Sequence, residues 1–366
     1  MDVVALSNLC VDVVVPVGEL PPSDPALRQQ LLADLTASPP PPSAWEVGGN
    51  TNFLIAASRI GLRAASAGHL GDDAYGRFTR DVLRAEGVAR VVPVADAPGA
   101  PGSTLVCYVL VDGAGRHSFV SSYDFGPWPL LGDVPGVSAG CRALLEDTAA
   151  VWANGFVFDE LPAGSVLGAC EAARGAGAAV LFDPGPRVWT MQEGERRDAL
   201  EAALRLSDVV LVTEEEGHAM TGVGDAEGIG RALLRRSGSG TEWVVVKRGA
   251  DGATLVRRGE GGSLAVPGYA VTVADTVGCG DSFASAVALG YCRGLGELPT
   301  LALANAVGAA TATGRGAGRQ VATARRVLEI LQTQGAGAEH QAARAVVREA
   351  LGAAGESAGV PGGGSA

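Results

Sequence analysis

Between residues 150 and 247 the chain alternates short β-rich runs with stretches of helical periodicity, and this alternation constrains the fold more than any other feature. Runs over residues 150–153, 179–183, 209–213 and 243–247 are rich in Val, Leu and Ala, while residues 163–174, 195–206 and 226–236 carry apolar side chains at helical spacing. Strands separated by helices of this length form βαβ units, whose crossovers force parallel pairing. The expectation is an α/β fold with a mostly parallel central sheet flanked by helices. Ligands of such sheets gather beyond the strand carboxyl ends, so the residues that follow each strand are the first candidates for function.

The remaining segments fit around that sheet. Residues 3–17 read as a first strand interrupted by Asn8 and Asp12. Residues 21–44, bounded by Pro21-Pro22 and the run Pro39 to Pro42, read as an insertion holding a short polar helix-like stretch, because successive prolines cannot be helix interior. Apolar spacing predicts helices over 50–60, closed by Gly61, and over 77–86, closed by Gly87. Two β-rich runs, 105–111 and 117–123, flank Asp112-Gly113-Ala114-Gly115-Arg116, a hairpin signal. The segment 334–366, ending in Gly-rich sequence, is expected to be a flexible tail apart from a helix over 341–351.

Charge narrows the function. Among 366 residues, 28 Lys+Arg face 40 Asp+Glu, a net charge of −12, which disfavours a nucleic-acid partner. Cys10, Cys107, Cys141, Cys170, Cys279 and Cys292 form no C-x-x-C pair, and the four His form no H-E-x-x-H, so neither a disulfide framework nor a zinc site is expected. No apolar run of roughly 18 residues is present, and no basic leader precedes the first strand. The chain reads as intracellular and cytoplasmic, with a plastid open if a transit peptide had been trimmed.

The most informative stretch is Ala274-Asp275-Thr276-Val277-Gly278-Cys279-Gly280-Asp281-Ser282-Phe283, followed by small and apolar residues. Glycines around Cys279 let backbone N–H groups turn inward at a helix start, where the positive end favours an anion. Asp281 then places a proton-accepting carboxylate beside those donors. The same residues also suit an ordinary cap and turn. Earlier in the chain, Gly48-Gly49-Asn50-Thr51-Asn52 and Gly68-His69-Leu70-Gly71-Asp72-Asp73-Ala74-Tyr75-Gly76 bracket a helix. Paired glycines allow close backbone approach, and Asn52 offers donor and acceptor to a polyhydroxylated ligand; an N-cap and a turn explain them as well.

Together these stretches resemble the two signatures of the ribokinase-like (PfkB) carbohydrate kinases, in the right order and over roughly residues 1–333. No P-loop is present. The resemblance implies an ATP- and Mg²⁺-dependent kinase that phosphorylates a primary hydroxyl of a sugar or ribonucleoside. Asp281 matches the family's general base, and Gly278, Cys279 and Gly280 its anion hole. Asp12, Gly48, Gly49 and Asn52 match positions that hold sugar hydroxyls, although the segment from Gly49 to Asn52 is one residue shorter than the common form. Asp183 and Arg187 match an element near the phosphates. Glu216 matches a residue that arranges Mg²⁺ through water, with Thr213 where the family has Asn. Lys247, Gly249 and Gly252 match the nucleotide-binding strand and turn, with Lys247 where Thr is more usual, and Asn305 lies on a helix that flanks the adenine in relatives. Asp275 matches a position beside a monovalent cation such as K⁺, and the turn Gly314 to Gly318 closes the site. Residues 3–17 and 104–124 resemble a small β-sheet lid that covers the sugar and can pair two subunits as a homodimer. Thr213 and Lys247 also leave room for a catalytically silent relative serving as a binding or scaffold subunit.

Overall fold

The computed structural model describes residues 1–94, 103–132, 136–259 and 262–358. Its strands are β1 (Val3–Ser7), β2 (Leu9–Pro16), β3 (Trp45–Gly49), β4 (Ala64–Gly68), β5 (Arg90–Val92), β6 (Leu105–Val111), β7 (His117–Ser121), β8 (Ala150–Asn154), β9 (Ala179–Asp183), β10 (Val209–Thr213), β11 (Trp243–Lys247), β12 (Ala253–Arg257) and β13 (Ser263–Val266). The helices are α1 (Pro25–Ala37), α2 (Thr51–Arg59), α3 (Ala74–Ala85), α4 (Ala139–Glu146), α5 (Val157–Glu160), α6 (Ala163–Gly175), α7 (Gly194–Leu206), α8 (Glu214–Thr221), α9 (Ala226–Arg236), α10 (Cys279–Arg293), α11 (Glu297–Ala312), α12 (Ala324–Gln334) and α13 (Ala338–Ala358).

Nine strands pair in the order β13-β12-β11-β10-β9-β8-β1-β4-β5. The pairs from β11 to β5 are parallel, and β12 and β13 add antiparallel at one edge. Side chains alternate between two cores: Val3, Ala5, Trp152, Leu181 and Leu211 pack with α2, α10, α11, α12 and α13, while Val4, Leu6, Val151, Phe182 and Val212 pack with α4, α6, α7 and α9. Phe53 stacks on Trp152 at 4.1 Å and locks α2 to the middle of the sheet. From β1 the chain builds outward to β4 and β5, then from β8 in the other direction. The resulting switch point opens a crevice at the carboxyl ends of β1 and β8.

A second sheet of order β3-β2-β6-β7 forms the lid. The single strand expected over residues 3–17 is two strands in different sheets, so Val3–Ser7 belong to the body and only Leu9–Pro16 to the lid. The break falls at Asn8, whose carbonyl accepts the Asn50 N–H at 2.9 Å instead of continuing a ladder. The lid's outer face, Val11, Val13, Tyr108, Leu110 and Val120, is fully buried. Some of its cover is the insertion: α1, capped by Asp24 and started by Pro25, lays Leu31, Leu32 and Leu35 on it. Arg28 of α1 reaches Ser118 Oγ at 3.1 Å, and Tyr108 Oη reaches the Leu35 carbonyl at 3.1 Å.

Within the tail expected over 334–366, the helix expected over 341–351 is present and runs longer at both ends, Ala338–Ala358, so these flanks are ordered rather than flexible. Helix α13 buries Ala343, Val346 and Val347 against α11 and α12, because these residues recur at three- and four-residue spacing. Residues 359–366 lie outside the described residues.

Candidate functional site

The late Gly-rich segment, where the anion pocket is expected, combines a tight backbone shape with free amides at the start of α10. Gly278 caps α10 with φ 77°, a conformation that favours glycine, and a Cβ there would press on Asn52 Cγ at 3.1 Å. Cys279 N–H turns back to the Thr276 carbonyl at 3.2 Å. The amides of Gly280 and Asp281 in the first turn are those that helix geometry leaves unpaired, at the positive end of the 15-residue α10. Burial pushes the Cys279 thiol up to about 12, which keeps it un-ionised.

Asp281 is held from the other end of the chain. Asn52 Nδ2 donates to Asp281 Oδ2 at 3.0 Å, and Asn52 Oδ1 accepts Gly318 N–H at 2.7 Å. Burial raises Asp281 to about 6; the Asn52 hydrogen bond and the Lys247 charge pull it down, and the Asp183 charge adds to the rise. Such a carboxylate is ionised at neutral pH yet basic enough to take a proton from a hydroxyl.

Asp12 enters from the lid. In the lid register it lies opposite Glu46 on β3 and Cys107 on β6, so all three share the face toward the crevice. Gly48, opposite Cys10, makes room for it: a Cβ there would stand 2.1 Å from Asp12 Oδ1. Gly49 adopts φ 59° to pass Asn8. Burial raises Asp12 to about 7; a hydrogen bond from Cys10 lowers it, and the charges of Glu46 and Asp281 raise it further. A cleft of about 740 Å³ separates this lid face from the loops at 274–277 and 315–320.

The ends of β9, β10 and β11 add a charged cluster. Lys247 Nζ pairs with Asp183 Oδ2 at 2.5 Å, and both are nearly buried. A Cβ on Gly280 would lie 3.7 Å from Lys247 Nζ, so this ammonium reaches the anion pocket rather than solvent. Thr213 caps α8: its Oγ1 accepts Glu216 N–H at 3.1 Å, and Glu216 Oε2 accepts Thr213 N–H at 2.7 Å. Thr in place of Asn therefore keeps Glu216 anchored at the mouth. Burial and the Asp183 charge raise Glu216, with Lys247 opposing them. Burial alone would lower the Lys247 ammonium, but Asp183 and Glu216 outweigh it and hold its pKa above the usual value. No group of three or more His, Cys, Asp or Glu poised for a metal exists among the described residues. Asp183 and Glu216 nevertheless fit Mg²⁺, which binds through one or two carboxylates when phosphates bring the rest of its shell.

The other expected residues make the following contacts. Arg187 does not join Asp183: its Nε is bonded to Asp159 and its guanidinium lies 4.3 Å over the Phe156 ring. Asn305 Nδ2 is engaged by the Val266 and Pro267 carbonyls at 3.0 and 3.1 Å. Gly252 meets the same segment, since a Cβ there would be 2.1 Å from the Val266 carbonyl oxygen, and Gly249 opens that turn at φ 57°. Asn305 thus holds the segment at the end of β13, and Gly249 and Gly252 form the turn after β11 that packs against it. Asp275 accepts Val277 N–H and Gly316 N–H, both at 3.0 Å, tying the anion pocket to the turn that closes it.

Glu160 was not anticipated from the sequence. It is fully buried, its Oε2 accepts Asn8 Nδ2 at 3.3 Å, Oε1 has no partner, and Asn8 also bonds Tyr123 Oη. Burial lifts its carboxyl well above the usual range. The available signal was a carboxylate pair, Asp159-Glu160, inside the apolar run from Phe156 to Leu161.

Comparison with known proteins supplies the family. The model of the pfkB family of carbohydrate kinases matches residues 44–324. Fructokinase-1 of Oryza sativa subsp. japonica is 30% identical over 297 residues, 78% of this chain and 88% of that protein. Ribokinase of Mus musculus is 25% identical over 66% of this chain and 69% of that protein. Among solved structures, fructokinase with bound ATP from Xylella fastidiosa superposes with TM-score 0.69 at 23% identity, covering 92% of this chain and 99% of that one. Arabidopsis thaliana ribokinase complexed with ribose and ATP superposes with TM-score 0.68 at 20% identity, covering 91% and 99%. With a family match spanning most of its length and a relative 30% identical over 78% of it, the chain belongs to the pfkB family of carbohydrate kinases.

Proposed function

We propose that this protein is an ATP-dependent kinase that phosphorylates a primary hydroxyl of a small sugar. The observation that carries this reading is the convergence of the α10 amides, Asp281 and the lid carboxylate Asp12 on one crevice at the sheet's switch point. Asp12 receives hydrogen bonds from sugar hydroxyls and orients the acceptor. Asp281, positioned by Asn52, takes the proton of the attacking hydroxyl as its oxygen bonds to the γ-phosphorus and ADP departs. Gly280 and Asp281 N–H groups stabilise charge on the transferred group, and the closed lid excludes water.

A solved Escherichia coli structure of this fold, 23% identical, is described as holding ATP and Mg²⁺. Mg²⁺ would supply charge neutralisation of the phosphates, with Asp183 and Glu216 as its side-chain anchors. A monovalent cation near Asp275 would rest on loop carbonyls, because both carboxylate oxygens accept backbone N–H groups. Pairing of two copies through the lid does not enter this reading, since α1 already lies on the apolar face.

One observation favours a ribonucleoside as the second reading. Beyond Asp12 the cleft is walled by Val14, Val109, Val111 and Phe119, an apolar extension suited to a flat ring. ADP release measured with saturating Mg·ATP against a panel of ketohexoses, aldopentoses and nucleosides decides between them. Silence with every acceptor would support the scaffold alternative.

A further inference from the structure

Lys247 is the only lysine in the chain; every other basic residue among the 28 Lys+Arg is arginine. That one lysine ends β11 inside the crevice, paired with Asp183 at 2.5 Å and within electrostatic reach of Glu216 and Asp281. Nearby arginines are engaged elsewhere, Arg187 by Asp159 and Arg248 by Glu214. The ammonium therefore occupies Asp183, one of the two carboxylates on which Mg²⁺ would rest, and acts on Glu216 through its charge, while its Nζ stands 3.7 Å from the Cβ position of Gly280.

We propose that Lys247 is a transferable counter-ion: it neutralises Asp183 and Glu216 while the site is free of nucleotide, then passes to the phosphoryl oxygens at Gly280 when Mg·ATP enters. This inference rests on the ATP-kinase reading above. The residue type fits the task. A lysine ammonium is a compact point charge on a flexible stem and can change partners, whereas an arginine fork grips a carboxylate in two places and stays. A chain that uses arginine at every other basic position keeps lysine here. The two partners are alternatives: Mg²⁺ and the ammonium compete for the same carboxylates, and the incoming phosphates offer the ammonium a second anion.

The test uses the full chain and two variants, Lys247→Met and Lys247→Arg, each checked for folding by circular dichroism and melting temperature. Mn²⁺ binding to nucleotide-free protein, followed by electron paramagnetic resonance, should be weak in the parent and in Lys247→Arg. In Lys247→Met it should tighten at least ~10-fold, because two buried carboxylates lose their counter-charge. Binding of metal-free ATP, followed by calorimetry, should weaken at least ~10-fold in Lys247→Met, and turnover should fall ~10²-fold or more in both variants. A purely structural ion pair predicts that arginine restores turnover. Parent-like turnover and ATP affinity in Lys247→Arg would overturn the proposal, as would unchanged Mn²⁺ affinity in Lys247→Met. Should the methionine variant not fold, the arginine variant alone decides. Failure of the kinase reading looks different: the parent itself would bind no ATP.

Discussion

Asn52 Nδ2 donates to Asp281 Oδ2 at 3.0 Å across 229 positions of sequence, so one amide orients the carboxylate assigned to proton transfer. The same Asn52 takes Gly318 N–H through its Oδ1. Base, sugar-side helix and closing turn are thereby joined at one side chain.

Replacing Asp281 by Asn removes the proton acceptor and keeps the shape. Turnover should fall by ~10²-fold or more, the scale of general-base catalysis, with an unchanged circular-dichroism spectrum. Near-parent ADP release would remove Asp281 from its assigned role.

The pH dependence follows from two raised carboxyls. Asp281 near 6 must be ionised to act, so kcat/KM for the acceptor should rise with pH through about 6 and then level off. Stability runs the other way. With Asp12 near 7 and Asp281 near 6 in the fold against 3.8 unfolded, the folded state binds more protons between those values. Their contribution is fully present below pH 3.8 and is lost as pH climbs toward 7. Melting temperatures of Asp12→Asn and parent, compared from pH 4 to 8, should diverge in the variant's favour as pH rises; a constant difference would count against the assignment.

Gly48→Ala tests the seat of Asp12. The added methyl would sit 2.1 Å from Asp12 Oδ1, closer than any stable contact, so the carboxylate must move. The expected result is a rise in KM for the sugar of ~10-fold or more, with about 1–3 kcal/mol of lost stability read from urea unfolding. KM for ATP should hold, which separates a lid effect from general damage.

Replacing residues 21–38 with a short Gly-Ser linker removes α1 and uncovers some of the face formed by Val11, Val13, Tyr108, Leu110 and Val120. An exposed apolar patch of this kind drives association. Sedimentation should show self-association that grows with concentration; a variant sedimenting as the parent does would show that the face needs no cover.

What the sequence made legible was local. The strand and helix periods over 150–247 placed the sheet because each period is a property of consecutive residues, and the segment 274–283 announced the Gly-capped start of α10 because its glycines and carboxylate are neighbours in the chain. The lysine–aspartate pair was not legible, since it depends on β9 and β11 flanking β10 and spans 64 positions. Glu160 looked like one carboxylate beside another until the fold buried it against Asn8 and Tyr123. Residues 3–17 read as one strand because their β propensity is continuous; only the partners of Asn8 show where the chain changes sheets. The Arg187–Asp159 pair was not legible either, because the two lie 28 positions apart.

Because helix α1 is packed on the lid of its own chain, opening the mouth to admit an acceptor would shift a tethered helix through water and would not require protomers to separate. Admission then becomes a first-order event within one molecule, and specific activity should stay constant on serial dilution of the enzyme.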